Sequence, residues 1–294
     1  MIKTLRLACA GFIIPALLLL LFVGTIHAQT CAWKVSGASN TVYLIGSIHL
    51  LKADDLPPPA VMEQAFADAD VVVLETSLDS LQSPEMQQFT MMKALYPEGK
   101  SLATELSDST LHLTRESAVG LGLNIHRLLG FKPWFVAVTM NVLKLQQMGF
   151  NSAFGIDHYF HTKARQQGKT ILGLESVRFQ LGLFSELESG DQEEFLLQSL
   201  REFEEVETML DSILQAWKKG NLAGIDNLLN KHFKPHPDLY DLFLVRRNHH
   251  WMTRIETFLG DDKNYLIIVG AGHLAGEEGL IRLLEQRGFT LRQL

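Results

Sequence analysis

The chain has 294 residues, of which 47% are hydrophobic and 20% charged. That is the composition of a folded globular protein and excludes a largely disordered one. A net charge of −7 excludes the basic footprint of a nucleic-acid-binding surface, and the length suits one large domain or two small ones.

Residues 1–28 have the order of a secretory signal. Lys3 and Arg6 come first, an uncharged apolar run follows, and Ala28 precedes Gln29. Pro15 and Gly11 interrupt the run, which favours cleavage over an uncleaved membrane anchor, although roughly twenty such residues can span a bilayer. The expected location is therefore periplasmic or secreted, with membrane contact only through the signal segment if it is retained. Cleavage removes Cys9 and leaves Cys31 as the single cysteine, so no intramolecular disulfide forms and the core must supply the stability. No Cys-His arrangement surrounds Cys31, which argues against a cysteine nucleophile.

The rest of the chain, 29–294, reads as one α/β domain. "NTVYLIGSIHL" predicts a buried strand, "DDLPPP" breaks it, and Pro59 opens the short helix "AVMEQAFADAD". "VVVLETS" is a second buried strand, which completes a strand–helix–strand unit of a parallel sheet. Helices follow at "SDSTLHLTRESAVGLG", "KPWFVAVTMNVLKLQQMG" and "IDHYFHTKARQQG", and "KTILGLES" supplies a third strand. One long helical stretch is expected from Asp191 to Gly220. Its apolar stripe runs from Leu200 to Trp217, and Glu202, Glu204, Glu205 and Asp211 form a solvated face. Two more helices, "NLAGIDNLLNKHF" and "DLYDLFLVRRNHHWMTRIETFLG", lead to the strand "KNYLIIVG". The helix "EEGLIRLLEQRG" and the short strand "TLRQL" end the chain. The expected fold is a mixed, largely parallel central sheet made of two related halves, flanked by helices and carrying a helical insertion.

The ends of the four main strands carry the chemistry. Val42–Leu51 and Tyr265–Gly276 are apolar runs that both contain Gly-x-x-His-Leu, with His49 and His273. The other two strands end in Leu-Glu-Ser or Leu-Glu-Thr, at Glu75 and Glu175. In open parallel sheets ligands bind outside the carboxyl ends of the strands, so these four side chains converge if the strands are neighbours. Two His and a Glu with an open position suit catalytic zinc or another first-row divalent ion; a metal-free His/Glu acid–base site suits the same residues. Gly46 and Gly270 are expected to let the backbone turn sharply as each strand ends. A helix beginning around Glu277 would present N–H groups to a negatively charged substrate group. "GAGHLAG" imitates a dinucleotide fingerprint, but its last glycine falls one position late. His-Glu-x-x-His and Gly-x-Ser-x-Gly are both absent.

In this order, "GSIH", "LETS", "KPW", "GID", "GLES", "RRNHHWM" and "GAGH" resemble the TraB/GumN family, which includes the animal Tiki proteins. The likeness runs from Val42 to the C-terminus. It implies a fold similar to the erythromycin-esterase and ChaN-like group. From the Tiki branch it implies metal-dependent proteolysis with manganese or cobalt. The paired motifs map onto Gly46–His49 and Gly270–His273, and the acidic residue after the second strand onto Glu75. "RN" maps onto Arg247 and Asn248, in the role of oxyanion stabilisation or ligand orientation. Asp157 and Glu175 match further family positions.

The leading expectation is a metal-dependent hydrolase acting on a peptide or protein. His49, Glu75 and His273 bind the metal, Glu175 or Asp157 serves as general base or ligand orienter, and Arg247 steadies the oxyanion. Two other readings stand beside it. One is a non-catalytic protein that sequesters a peptide, a haem-like ligand or a polysaccharide precursor. The other is a metal-free esterase using His/Glu acid–base chemistry.

Overall fold

A computed structural model describes residues 29–234 and 236–294; the signal segment read at 1–28 lies outside them. Among the described residues six strands form one sheet. They are β1 (Ala32–Ser36), β2 (Thr41–Ser47), β3 (Val71–Leu74), β4 (Thr170–Gly173), β5 (Tyr265–Gly270) and β6 (Leu291–Gln293), in the spatial order β4-β3-β5-β2-β1-β6. The first four in that order are mutually parallel, and β1 runs antiparallel to both β2 and β6. The strands of the two halves alternate, so β3 lies between β4 and β5, and β5 between β3 and β2. β3 is buried throughout and β2 and β5 nearly so. That matches their almost unbroken apolar sequences and is the pattern of parallel strands covered on both faces.

The helices of seven residues or more are α1 (Ala60–Asp68), α2 (Pro84–Ala94), α3 (Asp108–Gly120), α4 (Pro133–Gln147), α5 (Ile156–Gln167), α6 (Val177–Glu186), α7 (Ser189–Arg201), α8 (Val206–Lys218), α9 (Leu222–Phe233), α10 (Arg246–Leu259) and α11 (Leu280–Gln286). Local signals account for several of their ends. Pro133 opens α4 at a position where its missing N–H costs nothing. Ser176 caps α6 by accepting from Phe179 N–H. Gly168 ends α5 in the left-handed region at φ +66°. Phe66 of α1 stacks on Phe160 of α5, with ring centroids 5.4 Å apart, and both are buried against the sheet. Each such side chain contributes roughly 1.5–3 kcal/mol of transfer free energy. A separate core joins α3, α4 and α7 through Leu111, Ala118, Val136, Met140, Leu196 and Leu200. The helical insertion thus draws on both intervals between strands.

Several expectations need correction. The stretch Asp191–Gly220 is two helices, α7 and α8, separated by a tight turn at Glu202–Glu204. The last helix begins at Leu280, not near Glu277, and His273 lies in a tight turn, Ala271–Leu274. The residues around Glu277, expected to open that helix, form turns instead. β1 was not anticipated. It places Cys31 in the core, where burial pushes the thiol pKa up to about 12, in keeping with an inert residue. Neither Gly46 nor Gly270 has a positive φ. Gly46 is needed for space, because a Cβ there would lie 2.4 Å from Cys31 Sγ.

Candidate active site

The parallel ladder sets the geometry. Glu175 N–H donates to Glu75 O at 2.9 Å, so the β3/β4 pairing continues past the strands and leaves the two glutamates side by side. β5 lies next to β3, and β2 next to β5, which brings His273 and His49 to the same sheet edge. The segment after β2 is then tied to the entry of α5. Leu51 and Asn151 exchange backbone hydrogen bonds, and Ile156 N–H donates to Ile48 O. Gly155 permits that approach, since a Cβ there would lie 2.3 Å from His49 O. The result is His49 Nδ1 at 3.2 Å from Asp157 Oδ1, which also accepts from Ser47 Oγ at 2.8 Å.

Arg247 occupies the centre. Its Nη2 donates to Glu75 Oε2 at 2.5 Å and to Glu175 Oε1 at 2.8 Å, and its Nε donates to Glu175 Oε1 at 3.0 Å. Nη1 donates to Phe243 O at 3.0 Å and to His273 Nε2 at 2.9 Å. All five guanidinium N–H groups are thereby engaged, so no free donor remains for an oxyanion in this arrangement. A π-helical turn, Asp241–Val245, leads into α10 and supplies the Phe243 carbonyl; such turns recur at functional sites. Trp251, one turn beyond Arg247, donates Nε1–H to Glu175 Oε2 at 2.9 Å, and its ring lies 4.7 Å from the guanidinium carbon.

The two histidines differ in charge. A guanidinium only donates, so His273 Nε2 accepts from Arg247, and its Nδ1–H must donate to Asn248 Oδ1 at 2.7 Å. Asn248 Nδ2 in turn donates to the carbonyls of His273 and Glu278, which fixes the amide. Burial drives the His273 pKa down to about 3, so the ring is neutral at pH 7. For His49, desolvation opposes the charge, but Asp157 and Glu75 outweigh it and hold its pKa well above the usual value. Burial also opposes ionisation of Glu75, and the surrounding His273, His49 and Arg247 reverse this and hold it well below the usual range. Since His273 is neutral, the cations that do so at pH 7 are His49 and Arg247. Glu175 is raised by burial despite Arg247 and Trp251.

Of the seven residues expected at the site, all lie in one connected network. Glu75 Oε1, which accepts from Gly270 N–H at 2.7 Å, is 3.6 Å from His49 Nε2 and 3.9 Å from His273 Nε2. Donors on a tetrahedral ion with bonds near 2.1 Å stand about 3.4 Å apart, so these pairs are a few tenths of an ångström too wide. Among the described residues, no group of three or more His, Cys, Asp and Glu side chains is arranged as placed to hold a metal ion. The donor chemistry nevertheless fits one. Both imidazoles are held from behind at Nδ1, by Asp157 and Asn248, which leaves Nε2 facing Glu75. A Cβ on Gly270 would lie 3.2 Å from His49 Nε2, 3.3 Å from Glu75 Oε1 and 3.6 Å from His273 Cδ2. The missing side chain leaves the space between the three. Arg247 Nη1 would have to withdraw from the His273 lone pair for an ion to share it.

Gln180 was not anticipated. Its Nε2 donates to Glu75 Oε2 at 3.1 Å, from a helix the sequence did not reveal. His158, the neighbour of Asp157, lines the adjoining cleft. His249 and His250 diverge, His249 to Glu278 and His250 onto the ring of Phe179.

YbaP of Escherichia coli K12, an uncharacterized protein, is 25% identical over 243 residues, covering 82% of this chain and 87% of YbaP. The Shigella flexneri YbaP matches to the same extent. An uncharacterized protein of Treponema pallidum is 23% identical over 171 residues, 57% of this chain and 49% of its own length. No solved structure matches. A sequence model of the TraB/PrgY/gumN family matches residues 31–293, and the chain belongs to that family.

Proposed function

We propose that the protein is a metal-dependent hydrolase, with a peptide or protein as substrate. The observation that carries this reading is the pair of imidazoles just beyond the ends of β2 and β5. Each is anchored at Nδ1 and turns Nε2 toward Glu75 Oε1 beside Gly270. His49, Glu75 and His273 would hold the ion, of the manganese, cobalt or zinc class. When bound, such an ion polarises a carbonyl and makes water nucleophilic near neutral pH.

The chain's own groups divide the remaining work. Gly270 N–H and Gln180 fix the Glu75 carboxylate. Asn248 keeps His273 in the tautomer that offers Nε2. Asp157 orients His49 and also lines the open cleft, so it is the carboxylate placed to take a proton from water. Glu175 is enclosed and tied to Arg247 and Trp251, so it acts by positioning Arg247. Arg247 balances the two glutamates. We also place the protein in the periplasm or outside the cell, on the signal-like order of residues 1–28; fractionation of tagged protein checks this.

One observation favours a second reading. Arg247 Nη1 already fills the His273 lone pair, and charged His49 beside Glu75 forms an acid–base pair that needs no metal. The two readings part under chelation. The metal-dependent hydrolase cleaves peptides when manganese, cobalt or zinc is supplied and stops when the ion is removed. Cleavage indifferent to chelators favours the metal-free reading, and no cleavage of a broad peptide and ester panel with any of the three ions overturns both.

A further inference from the structure

The site opens into two hollows rather than one. The first, about 320 Å³, is walled by Leu50, Leu74, Leu78, Leu81 and Ile268. The second, about 280 Å³, is walled by Leu181, Leu183, Phe184 and Phe243, with Arg247 and His273 at its inner end. Both include His49, Glu75 and Gln180 in their lining, so these three residues form the divider between them. The apolar walls come from different elements. Those of the first lie at the ends of β2, β3 and β5 and on the short helix Leu78–Leu81, and those of the second on α6 and the π turn.

We infer that the substrate is an extended peptide whose side chains on both sides of the reacting bond are apolar, one entering each hollow. This rests on the hydrolase reading for the reaction, but the recognition stands on its own geometry. Successive side chains of an extended chain point to opposite sides. Two hollows on either side of a polar divider receive two neighbouring side chains while the linking amide lies over Glu75 and His49. Besides the shared His49 and Glu75, the first hollow is lined by Asp157 and His158 and the second by Arg247 and His273, all but His158 already paired with one another or with their neighbours; an aspartate side chain set against the apolar walls would lose its hydration without a partner. Gln180, with amide groups beside both hollows, is the residue placed to hold the peptide backbone at the divider.

The test is binding, read separately from cleavage. Four end-capped hexapeptides carry leucine or aspartate at each of the two central positions. Their affinity for the purified protein is measured by calorimetry, and cleavage is followed in parallel. The doubly apolar peptide is expected to bind about tenfold or more tightly than either peptide with one aspartate. Leu81→Trp is expected to abolish the preference at one central position, and Leu181→Trp at the other. Both positions are partly exposed, and retained circular dichroism confirms folding of each variant. Equal affinity for all four peptides, or loss of the same preference in both variants, overturns the inference. Selective binding without cleavage sustains it and removes the hydrolase reading. Cleavage without selectivity does the reverse.

Discussion

His49 and His273 stand in the same five-residue pattern, Gly-x-x-His-Leu, yet they occupy opposite environments. His49 has half of its side chain exposed and is flanked by Asp157 and Glu75. His273 is 4% exposed and is enclosed by Asn248, Trp251 and Arg247. One imidazole is held charged and the other neutral. A repeated motif therefore fixes position at the sheet edge but not protonation. Protonation follows from the sign of the neighbouring groups and from access to water.

The largest effect of perturbing this contrast is expected at Arg247. Arg247→Ala leaves Glu75 and Glu175 buried without their cation and should cost roughly 3–5 kcal/mol, read as a lowered denaturant midpoint. Arg247→Lys, which keeps the charge but not the forked geometry, should recover only part of that loss.

The histidines themselves come next. His273→Ala strands Asn248 Oδ1 and Arg247 Nη1 in a dry site, at a cost of about 1–3 kcal/mol. His49→Ala, at a half-exposed position where water can take the place of the ring beside Asp157 and Glu75, should cost clearly less. Equal destabilisation by the two substitutions would contradict the difference drawn between them.

Gly270→Ala tests the space between the donors. Its Cβ would crowd His49 Nε2 and Glu75 Oε1, so affinity for manganese or cobalt should fall about tenfold or more, as measured by calorimetry, while the fold persists. Unchanged affinity would place any ion elsewhere.

The mildest test is titration, and the two residues should respond with opposite sign. In metal-free protein, charged His49 contributes stability that is fully present below its unfolded pKa near 6.5. That contribution is lost as pH rises through the higher folded value. Neutral His273 contributes stability present above 6.5, which is lost as pH falls toward its folded pKa of about 3. Unfolding free energies measured against pH should therefore show wild type and His49→Gln converging on alkalinisation. Wild type and His273→Gln should converge on acidification. The slope from one such group does not exceed about 1.4 kcal/mol per pH unit.

Much of this site is legible in the sequence because the strands announce themselves. His49, Glu75, Glu175 and His273 each follow an apolar run with turn residues beyond it, which marks them as strand-end groups. Their adjacency is not legible, because the order β4-β3-β5-β2 depends on pairings between residues some two hundred positions apart. Gln180 escaped for a local reason. Val177, Phe179, Leu181 and Leu183 alternate with other residues, which is strand periodicity, while tertiary packing makes the segment a helix. β1 escaped because it is five residues long with Lys34 at its centre. The saturation of Arg247 depends on a π-helical turn inside what reads as one continuous helix. No propensity distinguishes that turn, which supplies the Phe243 carbonyl as one of the acceptors that Arg247 meets beside two glutamates and a histidine.

Bound divalent metal decides the matter most directly. The purified protein would be supplied with manganese, cobalt or zinc, desalted and assayed for metal content, beside His49→Ala and His273→Ala with intact folding confirmed. The proposed centre requires close to one ion per chain in the wild type and its loss in both variants, with a proton released on uptake because His49 must give up its charge. Wild-type protein that takes up none of the three ions, or variants that retain them fully, would contradict it.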